Sequence, residues 1–497
     1  MVPVKAESPL PFAVDLSGAA GHLAHALHEQ LRAAILDGRL LAGAALPSSR
    51  GLATTLGIAR NTVVAAYDLL VAEGYVLPRR GAKAVVASVR PRPSARPVAR
   101  SIQDPRLAPL WRTPYLPFST APGVPERSFR LGVPDHRHFP HAIWRRLNAQ
   151  VLQRWSKAPF GYPPSEGIRE LREAIATHVA FARAVACAAD DVVVTSGAQQ
   201  AFDLLARLLV TPGKTSVAVE TSVAVEEPGY PPLRSAFVAA GATLVPIPVD
   251  DEGLCVDRLP PDVRIVCVTP SHQSPTGVAL SMRRRTALLE FARARGAVIL
   301  EDDYDGEYRF GARPLDALQT LDRDGIVFYV GTFSKSLFPA LRKGFIVAPP
   351  WAFEALVAVK HCVDAHSDGI AQAVLAAFIR EGHLARHVRR MRGLYAERRA
   401  ALLEGLRDLS PWLTPVPSEA GMHLAARLRS PGQAAKLLEI ARECTPGATS
   451  SAVYAMTPPA EPVIAFGYGV IDAGDIAPAM ARFRRRAERE LTPSLPR

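Results

Sequence analysis

Between residues 20 and 88 apolar positions recur at helical spacing in three consecutive blocks. In LAHALHEQLRAAILDGRL they fall at Leu23, Leu27, Leu31, Ile35 and Leu36, and Gly38 with Gly43 ends the run. SSRGLATTLG follows, with Ser48 or Ser49 as the N-cap and Gly57 as the stop. ARNTVVAAYDLLVAEGYV turns Val63, Tyr67, Leu70 and Val71 to one side and closes at Gly74, before a short hairpin. Three helices and a hairpin predict a compact winged helix-turn-helix.

The pattern then changes twice. Residues 89–118, VRPRPSARPVARSIQDPRLAPLWRTPYLPF, are rich in Pro and Arg and lack apolar periodicity, which predicts a semi-extended linker. Beyond it, short apolar runs (DVVVTSG, ATLVPIPV, VRIVCVTP, AVILEDD, IVFYVGT, GFIVAP) alternate with helical patterns. That alternation predicts a mainly parallel sheet covered by helices, with ligands at the strand C-terminal ends. MHLAARL and VIAFGYG, among helices in the last hundred residues, predict a smaller α+β lobe. The expected organisation is a multidomain α/β chain: a helix-turn-helix domain over 18–88, a linker over 89–118 and an α/β domain over 119–497. Residues 215–226, TSVAVETSVAVE, are an exact tandem repeat of six residues. Because six is even, either copy presents the same faces as a strand, and the spare one bulges as a loop or extends an edge.

Composition narrows the class. At 497 residues, 48% hydrophobic and 21% charged, the chain has apolar material for more than one core. Of the net charge of +12, residues 1–112 carry 14 Lys/Arg against 7 Asp/Glu, so the basic excess is concentrated in the helix-turn-helix and linker. Cysteines at 187, 255, 267, 362 and 444 form neither a CxxC pair nor a metal-ligand pattern with His, which fits a reducing cytoplasm. There is no apolar leader and no run of eighteen apolar residues, so a secreted or membrane-spanning protein is not expected.

The chemistry concentrates in GTFSKSLFPALRKG, residues 331–344. Lys335 stands among Thr332, Ser334 and Ser336, with Arg342 seven residues on, after an apolar strand. A lysine that forms a Schiff base must be desolvated or lie beside cations, and a phosphate-bearing cofactor accounts for the hydroxyls and the guanidinium. Pyridoxal 5′-phosphate is the cofactor whose chemistry needs this set. Its pyridine nitrogen needs a carboxylate, and VILEDDYDGEY places Asp302 at a strand end, with Tyr304 two residues on to meet the phenolic oxygen. Metal binding by Glu301, Asp302, Asp303 and Asp305 is the weaker reading, because no His joins them and consecutive strand residues face opposite sides. Ser196-Gly197-Ala198-Gln199, between a strand and a helix, supplies backbone amides for a phosphate, and Tyr230 in EEPGYPP supplies a ring to stack on the cofactor.

LHEQLRAAILDGRLLAGAALPSSRGLATTLGIARNTVVAAYDLLVAEGYV is similar, nearly throughout, to the winged helix-turn-helix of GntR-type bacterial regulators. The resemblance implies contacts to double-stranded DNA from Arg50, Arg60, Asn61 and Thr62, with Arg79, Arg80 and Lys83 on the wing. The wing, RRGAKAVVA, departs from the Gly-Ser-Gly-Thr run common in that family. Residues 120–490 resemble fold-type I aminotransferases. That resemblance implies that Lys335 holds the cofactor, Asp302 and Tyr304 meet its ring nitrogen and phenolic oxygen, and Tyr230 stacks on it. Ala198, Gln199, Thr332 and Arg342 would form the phosphate site. PSHQSPTG matches the family's Asn-Pro-Thr-Gly turn but has Ser274 at the Asn position.

Joined together, the two halves resemble the MocR subfamily of transcription regulators, in which SGAQQ, EEPGYP, EDDYDGE and GTFSK recur. The resemblance implies a head-to-tail homodimer whose catalytic fold senses an amino compound or PLP itself. The alternative is an active aminotransferase with an accessory DNA-binding domain. No Arg precedes Val463, where the family holds a substrate carboxylate; Arg427 and Arg429, after MHLAA, are the candidate substitutes, though solvated strand or loop charges are the simpler reading of both.

Overall fold

The computed structural model describes residues 10–19, 21–79, 83–88, 109–112, 125, 127–157, 161–211, 221–311, 316–459 and 461–491. The chain divides into two compact units, residues 1–113 and 114–497, each described by itself.

The first unit consists of α1 (Leu23–Leu36), α2 (Ser49–Leu56), α3 (Arg60–Ala72), β1 (Val76–Leu77) and β2 (Val85–Val86). The Ser48 hydroxyl accepts the Gly51 amide at 3.1 Å and starts α2; Gly57, at φ 65°, ends it. Leu27, Leu31 and Ile35 of α1, Leu52 of α2, and Val63 and Leu70 of α3 form the core. Tyr67 and Val71 flank this core half-buried, and the Tyr67 hydroxyl donates to the Pro47 carbonyl at 3.0 Å. β1 and β2 pair antiparallel, Val76 opposite Val86. The core also recruits Leu10, Phe12, Val14 and Leu16, upstream of the expected start at 18.

The second unit opens with α4 (His141–Trp155) and α5 (Arg169–Arg183). Next come β3 (Val192–Thr195), α6 (Ala198–Leu209), β4 (Ser222–Glu227), α7 (Pro231–Ala239), β5 (Thr243–Asp250) and β6 (Gly253–Leu254). Then follow β7 (Ile265–Val268), α8 (Met282–Arg295), β8 (Val298–Asp303), β9 (Val327–Thr332), β10 (Gly344–Val347), α9 (Pro350–Asp364) and α10 (Gly369–Arg380). The chain closes with α11 (His383–Arg407), β11 (Leu413–Pro415), β12 (His423–Leu428), α12 (Ala434–Cys444), β13 (Thr449–Ser450), β14 (Val463–Gly467) and α13 (Ala473–Leu491).

The large sheet runs β3-β10-β9-β8-β7-β4-β5-β6. β9, β8, β7, β4 and β5 are parallel neighbours, and strands such as β7 and β9 are buried at every position, as expected of a sheet covered on both faces. β10 runs antiparallel to both β9 and β3. Only residues 333–343 separate it from β9, too few for the helical crossover a parallel neighbour needs. The second copy of the tandem repeat supplies β4; the first copy, 215–220, lies outside the described residues. The smaller sheet, β11-β12-β14-β13, is wholly antiparallel and shares a core with α11, α12 and α13 through Leu402, Leu437 and Phe483.

A buried ionic junction ties the start of this unit to its last helices. Arg398 donates to Asp135 at 2.6 Å and to the Gly469 carbonyl at 2.5 Å, while Arg137 bridges Asp135 and Asp472.

Candidate functional site

The C-terminal ends of the parallel strands open into a cavity of about 250 Å³. All ten residues expected at a cofactor line it: Ala198, Gln199, Tyr230, Ser274, Asp302, Tyr304, Thr332, Ser334, Lys335 and Arg342. They come from five strand ends separated by up to 144 residues in sequence, because a parallel sheet delivers every strand's C-terminus to one edge. Leu131, Gly132, Pro339, His423 and Tyr454 complete the lining and were not singled out in the sequence.

Lys335 follows β9. Its Nζ donates to the Gly132 carbonyl at 2.6 Å, and the half-buried side chain lines the cavity. Burial holds this amine below the usual lysine range, with Asp305 and Asp302 opposing the shift. That favours the neutral, nucleophilic form.

At one end of the cavity the chain builds an anion site. Helix α6 is capped at Gly197 without a side-chain hydrogen bond, so the Ala198 and Gln199 amides are available. The Arg342 guanidinium lies against this turn and donates to the Ser196 carbonyl at 2.6 Å. A Cβ on Gly197, which has φ 85°, would fall 2.9 Å from Arg342 Nη1, so glycine permits the approach. The hydroxyls of Thr332 and Ser334 are 3.0 Å apart beside it.

Along the acidic run of β8, strand alternation separates the roles. Glu301 accepts the amides of Leu318 and Gln319 at 2.8 Å, and Asp303 accepts from Arg183 Nε at 2.5 Å and the Tyr329 hydroxyl at 2.7 Å. Asp302, between them, faces the cavity. Its side chain makes no hydrogen bond among the described residues, and its Oδ1 is buried without a partner. Burial, with Asp303 and Glu226 nearby, raises its carboxyl well above the usual range. A buried carboxylic acid waiting for a partner suits a ring nitrogen that must stay protonated.

Beneath Tyr304 lies a set that sequence reasoning missed. The Tyr304 hydroxyl is 3.1 Å from His272 Nδ1, which is 3.0 Å from Asp305 Oδ2. The His272 ring leans on that of His423, with centroids 4.3 Å apart, and the donor atoms of His272, Asp305 and His423 lie within 4.8 Å of one another. HQ in PSHQSPTG was the signal available. Burial, with His272 alongside, holds His423 well below the usual histidine range.

Tyr230 is half-buried at the start of α7, packed edge-on to Phe202, and burial pushes its hydroxyl up to about 12. With the second repeat copy in β4, Tyr230 lines the cavity. Arg427 pairs with Asp251 and lines a different cavity with Val463 and Glu461; Arg429 lines neither. Among the described residues Arg342 is the single arginine of the cofactor-sized cavity.

In the first unit, Arg50, Arg60, Asn61 and Arg79 are exposed and Thr62 is half-buried. Arg60 Nε donates to Ser49 Oγ at 3.3 Å, which joins the starts of α2 and α3 into one face. Arg80 lies outside the described residues.

Comparison with known proteins accounts for both units. Residues 132–458 match the family model for aminotransferase class I and II, and residues 23–86 match that for bacterial regulatory proteins of the gntR family. The probable rhizopine catabolism regulatory protein MocR of Rhizobium meliloti is 40% identical over 407 residues, covering 81% of this chain and 80% of that protein. The pyridoxine biosynthesis transcriptional regulator PdxR of Corynebacterium glutamicum is 33% identical, covering 80% and 81%. Among solved structures, the kynurenine aminotransferase of Pyrococcus horikoshii, determined with PMP, superposes with a TM-score of 0.66 at 27% identity, covering 74% of this chain and 91% of that one. With a gntR-family DNA-binding module preceding an aminotransferase class I and II domain on one chain, the protein belongs to the MocR subfamily of transcription regulators.

Proposed function

We propose that this protein is a cytoplasmic, PLP-dependent transcription regulator that binds promoter DNA through its first unit and senses an amino compound, or PLP itself, at Lys335. The observation that carries the reading is the convergence of all ten expected cofactor residues on one cavity, on a chain that also presents a basic helix-turn-helix face.

The cavity fits the cofactor on its own chemistry: an orphaned carboxyl at Asp302, an anion cradle at Gly197 and Arg342, and a desolvated amine at Lys335. Bound there, PLP supplies a carbonyl that traps primary amines. Lys335 would hold the cofactor through its amine. Arg342, Thr332, Ser334 and the Ala198 and Gln199 amides hold the phosphate. Asp302 keeps the ring nitrogen protonated, Tyr230 covers a ring face, and Tyr304 and Ser274 address the phenolic oxygen.

In the first unit, Arg50, Arg60, Asn61 and Thr62 approach the major groove, and Arg79 and Arg80 extend the contact along the backbone. A head-to-tail homodimer brings two such heads to paired half-sites, and the effector changes their spacing.

Fluorescence anisotropy of the full chain on DNA from upstream of its own gene, with and without PLP over a salt series, tests the reading. Specific binding that weakens with log salt and changes with PLP is expected. Binding no better than to scrambled DNA overturns it. The second reading, an active aminotransferase, rests on Lys335, Asp302 and Tyr304 sharing the cavity, and predicts sustained turnover of an amino donor with a keto acid.

A further inference from the structure

His272 Nδ1 has two neighbours that compete for it. The Asp305 carboxylate lies at 3.0 and 3.2 Å, and the Tyr304 hydroxyl at 3.1 Å. One ring nitrogen carries either a hydrogen or a lone pair, so it can donate to the carboxylate or accept from the phenol, but not both.

Two observations place the hydrogen on Nδ1. Asp305 is 2% exposed and also accepts the Met422 amide at 3.1 Å; without the imidazole hydrogen, its lone pairs would face another lone pair in a dry site. There is no room for water to relieve that contact, since a Cβ on Gly421 would fall 1.9 Å from His272 Cε1 and 2.6 Å from Asp305 Oδ2. His272 Nε2, buried and unpartnered, would strand an N–H if the hydrogen sat there; bare, it leaves only a lone pair.

With Nδ1 donating, Tyr304 finds no acceptor at His272. Its hydroxyl makes no other hydrogen bond among the described residues and lines the cavity, so its hydrogen must point there. We propose that Asp305 is a positioning residue: through His272 it directs the Tyr304 hydroxyl hydrogen into the cavity, toward the phenolic oxygen of the bound cofactor. This rests on the placement of Tyr304 at that oxygen in the proposed function. The other titratable groups around the set include Asp302, Lys335, His423, Glu226, Tyr454, Tyr468 and Arg309, and among the described residues none of them hydrogen-bonds Nδ1.

A hydrogen bond donated to the phenolic oxygen weakens that oxygen's hold on the proton it shares with the Lys335 nitrogen. Losing it raises the pH at which the visible absorption of the PLP-loaded protein titrates. In the full chain, Tyr304→Phe sets the size of that rise. Asp305→Leu, which leaves Nδ1 free to accept from Tyr304, raises the midpoint by about one unit. His272→Phe, which removes the competing acceptor, stays near wild type. The double variant Asp305→Leu/His272→Phe returns to within about 0.3 unit of wild type, a suppression that a merely structural role would not produce.

An unchanged midpoint in Asp305→Leu, or a double variant at or above the Asp305→Leu value, overturns the inference. No shift in Tyr304→Phe overturns it through the placement of Tyr304, whereas a Lys335→Ala protein that keeps the absorption overturns the cofactor reading itself. Should Asp305→Leu not fold, ¹⁵N NMR of the wild-type histidines, with His272 assigned from His272→Phe, reads the tautomer directly: Nδ1–H is expected, and Nε2–H overturns the inference.

Discussion

Replacing Asp302 with Leu should make the cofactor-free protein more stable and its hold on PLP weaker. The carboxyl is 4% exposed, makes no hydrogen bond among the described residues, and has an orphaned Oδ1. An unpaired buried polar group costs about 1–3 kcal/mol, and Leu has a similar branched outline without it. For a domain of this size that corresponds to a rise in Tm of about 1–4 °C. The gain depends on pH in a defined direction. Burial raises the folded carboxyl above its unfolded value of 3.8, so over the window above 3.8 the folded state binds more protons and its stability falls as pH rises. The advantage of Leu is therefore fullest near neutral pH and shrinks as the buffer is acidified toward 3.8. With PLP present the sign reverses. Losing a charge-assisted bond to the ring nitrogen costs about 1.5–3 kcal/mol, or roughly a 10–150-fold rise in Kd. Thermal scans of the cofactor-free protein at neutral and mildly acid pH, with a spectrophotometric PLP titration, measure both arms. A less stable cofactor-free variant near neutral pH, or an unchanged PLP affinity, would refute the reasoning.

Three further outcomes follow from the same structure. Deleting residues 215–220 leaves the copy that forms β4 intact, so the Tm should move by no more than about 1 °C and PLP binding should persist; loss of the cofactor spectrum would show that both copies are needed. Arg60→Ala should weaken specific DNA binding by about 1–3 kcal/mol in an anisotropy titration while leaving PLP affinity unchanged, because Arg60 lies on the first unit's exposed face. Arg398→Met should destabilise the second unit by about 1–3 kcal/mol, seen as a lowered Tm, because it removes the buried Arg398–Asp135 bond and leaves the Asp135 carboxylate to Arg137.

Much of the candidate site is legible along the chain because each piece is local. Lys335 with its hydroxyls, Asp302 with Tyr304, and the turn at Ser196–Gln199 each sit within a few residues, and a strand-to-turn junction delivers them to the same sheet edge. The alternation within Glu301, Asp302 and Asp303 is also readable, since successive strand residues face opposite sides. The His272–Asp305 pair is not, because its members are 33 residues apart on different loops, and neither loop has a periodicity that announces a partner. The apolar run of β10 reads the same either way, and its direction is legible only through the short connection from β9, residues 333–343, which is too short for a parallel crossover.

From sequence alone follow the two-part organisation, the helix-turn-helix, the parallel strands and ten of the residues that line the cavity, because helix spacing, capping and strand-end chemistry are set by near neighbours in the chain. Tertiary structure alone decided which repeat copy forms β4, that Arg427 is turned to Asp251 and away from the cofactor cavity, and that His423 and Tyr454 help to enclose it. Those outcomes depend on which distant surfaces pack and exclude water together, and burial of that kind is a property of the folded whole.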